Sequence, residues 1–186
     1  MKKGIFYASL ILLLVLGIFF DNQIGLLLTN NREALLTEIM SVFSFIGNSV
    51  GVLIIITIIF LLVRKGKSLP KAYAAILASL ILTYVLKIIF ARHRPEFSIV
   101  SDSDYSLPSG HATAGFSALA VIDMELPKLK WIWLAFIIIV VFSRLYLGAH
   151  YLTDIAAGAL IGYTTSLIVY NYLSKRLSKE KRKFKL

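Results

Sequence analysis

Residues 143–154 read SRLYLGAHYLTD and lie between two apolar runs, where a chain that leaves one membrane helix would start the next. Charged groups at the end of a membrane segment are costly, so they indicate a functional site. His150 and Asp154 are four residues apart, and this spacing puts both side chains on one face if Asp154 lies in the first helical turn. The carboxylate would then fix the imidazole tautomer and leave the second ring nitrogen as a base or nucleophile. A capped helix start with an incidental polar residue is the alternative.

The composition indicates an integral membrane protein. Hydrophobic residues make up 58% of the 186 residues, against roughly 45–50% in a soluble domain, and the mean hydropathy is +0.80. The chain has no cysteine, which excludes a disulfide framework and a thiolate metal site. The net charge of +10 would suggest nucleic acid binding only if the basic residues formed a soluble patch, and their distribution argues against that. With no repeat visible, we expect a single domain over residues 1–186.

The apolar runs predict an all-α bundle of six transmembrane helices, and the first run, Ile5 to Phe20, approaches the roughly 17–25 residues that a span needs. The fourth run is rich in glycine and alanine, which places it inside the bundle, and Gly158 and Gly162 form a GxxxG pair in the sixth. In the polar connection 21–38, Asn30 and Glu33 fit a capping box. The predicted spans are 5–20, 39–63, 72–90, 109–126, 131–142 and 154–173.

The basic residues predict which loops face the cytoplasm. Six spans put both termini on one side, and fifteen of the 20 lysines and arginines fall there. The positive-inside rule therefore makes both termini cytoplasmic, with the basic tail 175–186 as a topology anchor or as a contact for anionic lipids. The fifteen are Lys2, Lys3, Arg64, Lys65, Lys67, Lys71, Lys128, Lys130, Lys175, Arg176, Lys179, Lys181, Arg182, Lys183 and Lys185.

Another group of polar residues converges at the outer ends of spans three to six. Three cations of this group have one acid, Asp154, to neutralise them, so an anion is expected, and guanidinium and ammonium groups suit phosphate. The start of the fourth span adds backbone amides that bind anions. The members are Lys87, Arg94, Ser109, Gly110, His111, Arg144, His150 and Asp154. Their neighbours Arg92, His93, Asp102 and Asp104 are interpreted as solvated residues or, at most, headgroup contacts.

Three motifs resemble the signature of the type 2 phosphatidic acid phosphatase family. They are Lys87-x6-Arg94-Pro95, then Pro108-Ser109-Gly110-His111, then Ser143-Arg144-x5-His150-x3-Asp154. The motif region covers residues 87–154, and the six-helix layout extends the resemblance over nearly the whole chain. The resemblance implies an all-helical membrane bundle with an extracytoplasmic active site, and it implies no metal and no other cofactor.

The resemblance also implies a role for each motif residue. His150 would attack phosphorus to form a phosphohistidine, Asp154 would orient it, and His111 would protonate the leaving oxygen and then help to activate water. This division of labour suits phosphoryl transfer, which requires mainly positioning and charge stabilisation. The phosphoryl oxygens would be held by Lys87, Arg94, Ser109, Gly110 and Arg144.

We therefore expect a metal-independent phosphatase of a membrane lipid phosphate or diphosphate in a bacterial-type cytoplasmic membrane. Undecaprenyl diphosphate is the first choice of substrate and lipid A 1-phosphate the second. Phosphatidylglycerophosphate and phosphatidic acid stay open, because acyl selectivity resides in the shape of a groove. Neither nucleic acid nor an obligate protein partner is expected. The alternatives are an anion-lipid transporter, a lipid-binding scaffold, and a metal triad of His111, His150 and Asp154.

Overall fold

The computed structural model describes residues 3–30 and 32–183, and this part of the chain is helical without any β-strand. Lys2 and Lys185 of the predicted cytoplasmic side lie outside the described residues. The all-α prediction is confirmed for the described part. The helices are α1 (Lys3–Thr29), α2 (Ala34–Ile46), α3 (Ser49–Leu62), α4 (Leu69–Phe90), α5 (Gly110–Glu125), α6 (Lys130–Tyr146) and α7 (Leu152–Lys183), with a short 3-10 helix at Gly66–Ser68.

Within these described residues, three helical segments are long and apolar enough to cross a membrane. They are Gly4–Thr29, Gly66–Phe90 and Leu152–Glu180, with mean hydropathies of 2.2, 2.1 and 1.4. Helices α2 and α3 qualify together as a fourth span if a break with a bend of 67° is accepted. Helices α5 and α6 have 16 and 17 residues, at the lower limit of about 17 for a span. The chain is an integral membrane protein. By the length and composition of the helices, three or four of the six predicted spans can be identified.

Helix α1 runs further than the sequence pattern predicted. Residues 21–29 of the predicted polar connection are helical, because Asp21 is buried and accepts a hydrogen bond from the Thr153 backbone N–H at 3.0 Å. The predicted capping box is wrong. Helix α2 starts at Ala34, and the side chain of its N-cap residue, Glu33, makes no capping hydrogen bond.

The predicted second span, 39–63, is broken in the structure. Helix α2 ends at Ile46 with Gly47 as its C-cap residue, and Asn48 caps α3, since its side-chain oxygen accepts a hydrogen bond from the Gly51 N–H at 2.8 Å. The bend leaves the N-terminus of α3 at the wall of a polar cavity described below. The glycine and asparagine that loosened the predicted span therefore mark a real turn in the chain.

Helix α5 lies in the centre of the bundle, as its small residues predicted. Every residue from 112 to 122 is buried. Helix α7 packs closely against it through the GxxxG pair: a Cβ atom at Gly158 would lie 2.5 Å from the Ser109 carbonyl oxygen, and one at Gly162 would lie 2.3 Å from that of Thr113. This close contact fixes the start of α7 beside the start of α5, where the predicted site residues lie.

Candidate active site

A polar cavity of about 340 Å³ lies where α4 and α6 end and where α3 and α5 begin. It brings together residues of all three motifs, from helix ends and from the loops between them. Ser109 and Asp154 are fully buried and do not line it. The lining residues are Asn48, Ser49, Val50, Lys87, Arg94, Asp102, Asp104, Gly110, His111, Arg144 and His150.

His150 and Asp154 form a buried pair at the wall of this cavity. Helix α7 begins at Leu152, so Asp154 lies in its first turn and the spacing has the predicted effect. The Asp154 Oδ2 atom is 3.4 Å from His150 Nδ1, within ion-pair distance but outside hydrogen-bond geometry, and it accepts a hydrogen bond from the Tyr151 N–H at 2.9 Å. His150 Nε2 lies 3.4 Å from Arg94 Nη1. The ring therefore presents Nε2 towards the cations of the cavity.

The electrostatic surroundings keep His150 neutral. Burial lowers the pKa of His150 well below its ordinary value, and the positive charges of Arg144, Arg94 and Lys87 lower it further. An imidazole can act as a nucleophile or a base only in its neutral form. His150 is therefore in the state that attack on an electrophile requires.

His111 occupies the first turn of α5, and its Nε2 atom lies 3.0 Å from the carbonyl oxygen of Ser44. Because a carbonyl oxygen can only accept, Nε2 carries a proton and donates it. Nδ1 is then the ring atom that remains for exchange of a proton with a ligand. Ser44 also accepts a hydrogen bond from Arg144 Nη1 through its hydroxyl, at 2.6 Å, so α2 supports two site residues.

Two aspartates of the loop between α4 and α5 pair with the cations of the cavity. Asp102 Oδ2 is 3.1 Å from Arg94 Nη1 and also accepts a hydrogen bond from Arg144. Asp104 Oδ2 is 2.9 Å from Lys87 Nζ and Oδ1 pairs with Arg94. Although burial of Asp104 favours the neutral acid, hydrogen bonds from Arg94 and Lys87 lower its pKa to about 2. The interpretation of these acids as merely solvated is wrong.

The site also contains buried polar atoms that have no hydrogen-bond partner within the described part of the chain. Among the predicted site residues these are Ser109 Oγ, Arg144 Nε and His150 Nδ1. A buried donor or acceptor without a partner costs about 1–3 kcal/mol. Two of the three belong to residues predicted to hold a phosphoryl group, so the donor set suits an anion with several oxygens.

Sequence reasoning missed two residues that support the predicted set, Ser44 and Asp21, and the interpretation of Arg92 as a solvated residue or headgroup contact is wrong. Ser44 supports His111 and Arg144, while Asp21 and Arg92 extend the ion pairing of Asp154. No periodicity or spacing connects them, because the contacts join separate helices. The alternative of a metal triad has no support either, since no group of three His, Asp or Glu side chains among residues 3–30 and 32–183 has the arrangement of a metal site.

The fold and the cavity together define an integral membrane protein with a cavity lined by three cationic side chains and a buried, neutral histidine. The chain belongs to the PAP2 superfamily, whose family model matches residues 69–178, more than half of the sequence. The resemblance carried by the three motifs is confirmed. The chain is accordingly a hydrolase that acts on phosphoester bonds.

Individual relatives extend the similarity to nearly the whole chain. An undecaprenyl-diphosphatase of Sulfolobus acidocaldarius is 28% identical over 90% of this chain and 91% of its own length. A lipid A 1-phosphatase of Rhizobium etli is 25% identical over 81% of this chain and 76% of its own. The crystal structure of a transmembrane PAP2 type phosphatidylglycerolphosphate phosphatase from Bacillus subtilis has a TM-score of 0.73 and 26% identity, covering 91% of this chain and 96% of that one.

Proposed function

We propose that this protein removes a phosphate from a membrane lipid phosphate or diphosphate through a phosphohistidine on His150, without a metal ion. The observation that carries the proposal is the buried pair of His150 and Asp154 at the wall of a cavity lined by Lys87, Arg94 and Arg144. A transporter or a binding scaffold would need the cations, but it would not need this pair. Neither alternative is favoured by a specific contact.

In the proposed first step, Nε2 of His150 attacks phosphorus and the bond from phosphorus to the lipid oxygen breaks. Positive charge develops on the imidazole during attack, and Asp154 Oδ2, 3.4 Å from Nδ1, stabilises it. His111 enters this step as the imidazolium, with Nε2–H on the Ser44 carbonyl oxygen, and gives its Nδ1 proton to the departing oxygen. In the second step, water attacks the phosphohistidine, His111 takes the proton, and phosphate and neutral His150 are regenerated.

The phosphoryl oxygens would be held by Lys87, Arg94 and Arg144 together with Ser109 and Gly110 at the start of α5. Charge stabilisation of this kind is the main requirement of phosphoryl transfer. In the free enzyme Asp102 and Asp104 pair with the same three cations, so we propose that the substrate displaces the two carboxylates.

We also propose the six-span topology, with α2 and α3 as one broken span and with α5 and α6 completing the set. The site lies at the end of α4 and α6, whereas the basic loops lie at the opposite ends of these helices, where Lys65 pairs with Glu125 and Lys130 pairs with Asp123, each at 3.1 Å. By the positive-inside rule the termini are cytoplasmic and the site is extracytoplasmic, in a bacterial-type inner membrane.

Undecaprenyl diphosphate is the proposed substrate, supported by the relative that aligns over 90% of this chain. Lipid A 1-phosphate is the second candidate, because a lipid A 1-phosphatase aligns over 81% of the chain. Phosphatidylglycerophosphate and phosphatidic acid complete the set. The phosphate-binding residues serve all four substrates equally, so the lipid chains and the rest of the headgroup must decide among them.

The test is phosphate release by the detergent-purified protein, in excess EDTA, from a panel of these four lipids. We expect release from at least one of them, and His150→Ala should lower turnover by about 10³-fold or more while the protein still binds lipid. Phosphate transferred to the protein from labelled substrate should be stable in base and labile in acid, as a phosphohistidine is. Release that depends on added metal, or substantial turnover by His150→Ala, would contradict the mechanism.

A further inference from the structure

The carboxylate of Asp154 has a second partner besides His150. Arg92 Nη1 donates a hydrogen bond to Asp154 Oδ1 at 2.8 Å, on the oxygen that does not face the histidine. Arg92 Nη2 donates to Asp21 Oδ2 in α1 at 2.9 Å. The guanidinium group therefore bridges two carboxylates, one from α1 and one from the first turn of α7.

We infer that Arg92, held by Asp21, is a positioning residue that fixes the ionised Asp154 against His150. The inference rests on the proposed function, because it concerns how His150 is oriented for attack. It assigns to Arg92 and Asp21 a part in the reaction although neither lines the cavity. Arg92 acts through Asp154, and Asp21 acts through Arg92.

The burial of Asp154 makes a permanent cation necessary. Its side chain has no exposed surface, and an ionised carboxylate that is removed from water is costly unless it is paired. His150 is neutral in the free enzyme, so it cannot supply the positive charge before phosphorus is attacked. Among the residues that the structure describes, Arg92 is the permanent cation in direct contact with this carboxylate. It keeps Asp154 ionised and ready to stabilise the charge that develops on the imidazole.

The geometry also separates Arg92 from the residues that hold phosphate. Both of its terminal nitrogens are engaged by carboxylates, and its guanidinium stacks over the Tyr151 ring at 4.1 Å. Arg94, two residues later, lines the cavity instead. The two arginine side chains therefore lie on opposite sides of this loop. Arg94 faces the cavity, and Arg92 faces Asp154.

Asp21 anchors the arginine and connects it to the start of α7. Its Oδ1 atom accepts a hydrogen bond from the Thr153 N–H at 3.0 Å, and its Oδ2 atom accepts from the Thr153 hydroxyl. Asp21 thus connects three segments through hydrogen bonds: α1, the loop that carries Arg92, and the first residues of α7. This tie explains why α1 continues through a buried aspartate, 71 residues from its arginine.

The test separates turnover from phosphate binding in the detergent-purified full chain. Steady-state kcat is measured with whichever lipid the wild-type protein hydrolyses, and anion binding is measured as the inhibition constant of inorganic phosphate, which binds the cations without needing the nucleophile. The variants are Arg92→Gln, Arg92→Lys, Asp21→Asn and the double variant Asp21→Asn/Arg92→Gln. Arg94→Gln is the matched control, because it removes the same charge from the same loop but from the cavity wall.

We expect Arg92→Gln to lower kcat about 10–100-fold, as the loss of a group that orients a reacting side chain does, with the inhibition constant of inorganic phosphate unchanged. Arg92→Lys should recover part of kcat, because an ammonium restores the charge and one contact. Asp21→Asn should lower kcat less, and the double variant should lose less than the product of the single losses, because both act through one contact chain. Arg94→Gln should raise the inhibition constant of inorganic phosphate.

Unchanged kcat in Arg92→Gln would overturn the inference, and so would an inhibition constant of inorganic phosphate that rises in step with the loss of kcat. If Arg92→Gln does not fold, Arg92→Lys and Asp21→Asn decide: wild-type kcat in both would overturn the inference. If the wild-type protein releases phosphate and the Arg92 variants have the same kcat, this inference is refuted and the proposed function is not. No phosphate release by the folded wild-type protein from any lipid of the panel would refute the proposed function and the inference with it.

Discussion

Replacing the two loop aspartates of the cavity should tighten anion binding. Asp102 pairs with Arg94 and Arg144, and Asp104 pairs with Lys87 and Arg94, so each carboxylate makes two ion pairs that a phosphoryl group must replace. The changes Asp102→Asn and Asp104→Asn keep the side-chain size and remove the competing charge. Both should therefore lower the concentration of vanadate that inhibits the enzyme.

The size of the effect follows from the exposure of these pairs. The side chains of Asp102 and Asp104 are 32% and 55% exposed, so solvent screens them and each pair contributes at the upper part of the surface range, about 0.5–1 kcal/mol. Two pairs amount to about 1–2 kcal/mol for each aspartate, which corresponds to an inhibition constant about 5–30-fold lower. Asp102→Asn should have the larger effect, because Asp102 is the less exposed.

The assay is inhibition of phosphate release by vanadate, measured for wild type and for each variant at one pH and one salt concentration. Glu96→Gln is the control, since Glu96 lies in the same loop but lines the neighbouring cavity with His93 and Tyr151. It removes the same charge and should leave the inhibition constant as it is. Unchanged or weaker vanadate inhibition in both aspartate variants would refute the competition argument.

Three further results are expected. Because the pKa of His150 lies below its ordinary value, kcat/KM should persist as the pH falls through 6.5, and a loss of kcat/KM centred at 6.5 would contradict a neutral, buried His150. Gly162→Ala should lower the free energy of unfolding by about 1–3 kcal/mol, and with it the unfolding temperature in detergent, because its Cβ would lie 2.3 Å from a backbone oxygen of α5. The control Gly66→Ala should leave the unfolding temperature unchanged, because its Cβ would lie 3.4 Å from one leucine methyl group. Since the chain has no cysteine, Ser103→Cys should react with an impermeant thiol reagent in intact cells and Ser178→Cys only after permeabilisation, and the reverse pattern would invert the topology.

The sequence predicted those parts of the site that depend on local geometry. His150 and Asp154 face each other because α7 begins two residues after the histidine, so the spacing along the chain sets their distance. Lys87 and Arg144 lie in the last turns of α4 and α6, where the apolar runs ended. In both cases the end of the helix could be inferred from the neighbouring residues, and the end of the helix then placed the side chain at the outer end of the bundle.

The parts that could not be predicted depend on contacts between distant segments. Asp21 ended the predicted first span because it is charged, yet it lies within α1, where Arg92 neutralises its charge and Thr153 donates hydrogen bonds to it. Asp102 and Asp104 belong to a loop without periodicity, whose course over the cavity no pattern determines. Whether such a residue is solvated or ion-paired depends on tertiary contacts, which a sequence pattern does not specify.

The two sets of acids at the site differ in a way that explains why both are present. A cluster of cations folded around a cavity repels itself, so the free protein needs counter-charges as much as the complex with substrate does. Asp154 is fully buried on a helix and tied to Arg92, so it stays in place when a ligand binds. Asp102 and Asp104 are partly exposed on a loop, so solvent can receive them when phosphate takes their partners. In the proposed mechanism the permanent acid stabilises the charge on the histidine, whereas the exchangeable acids neutralise the cations until the substrate binds.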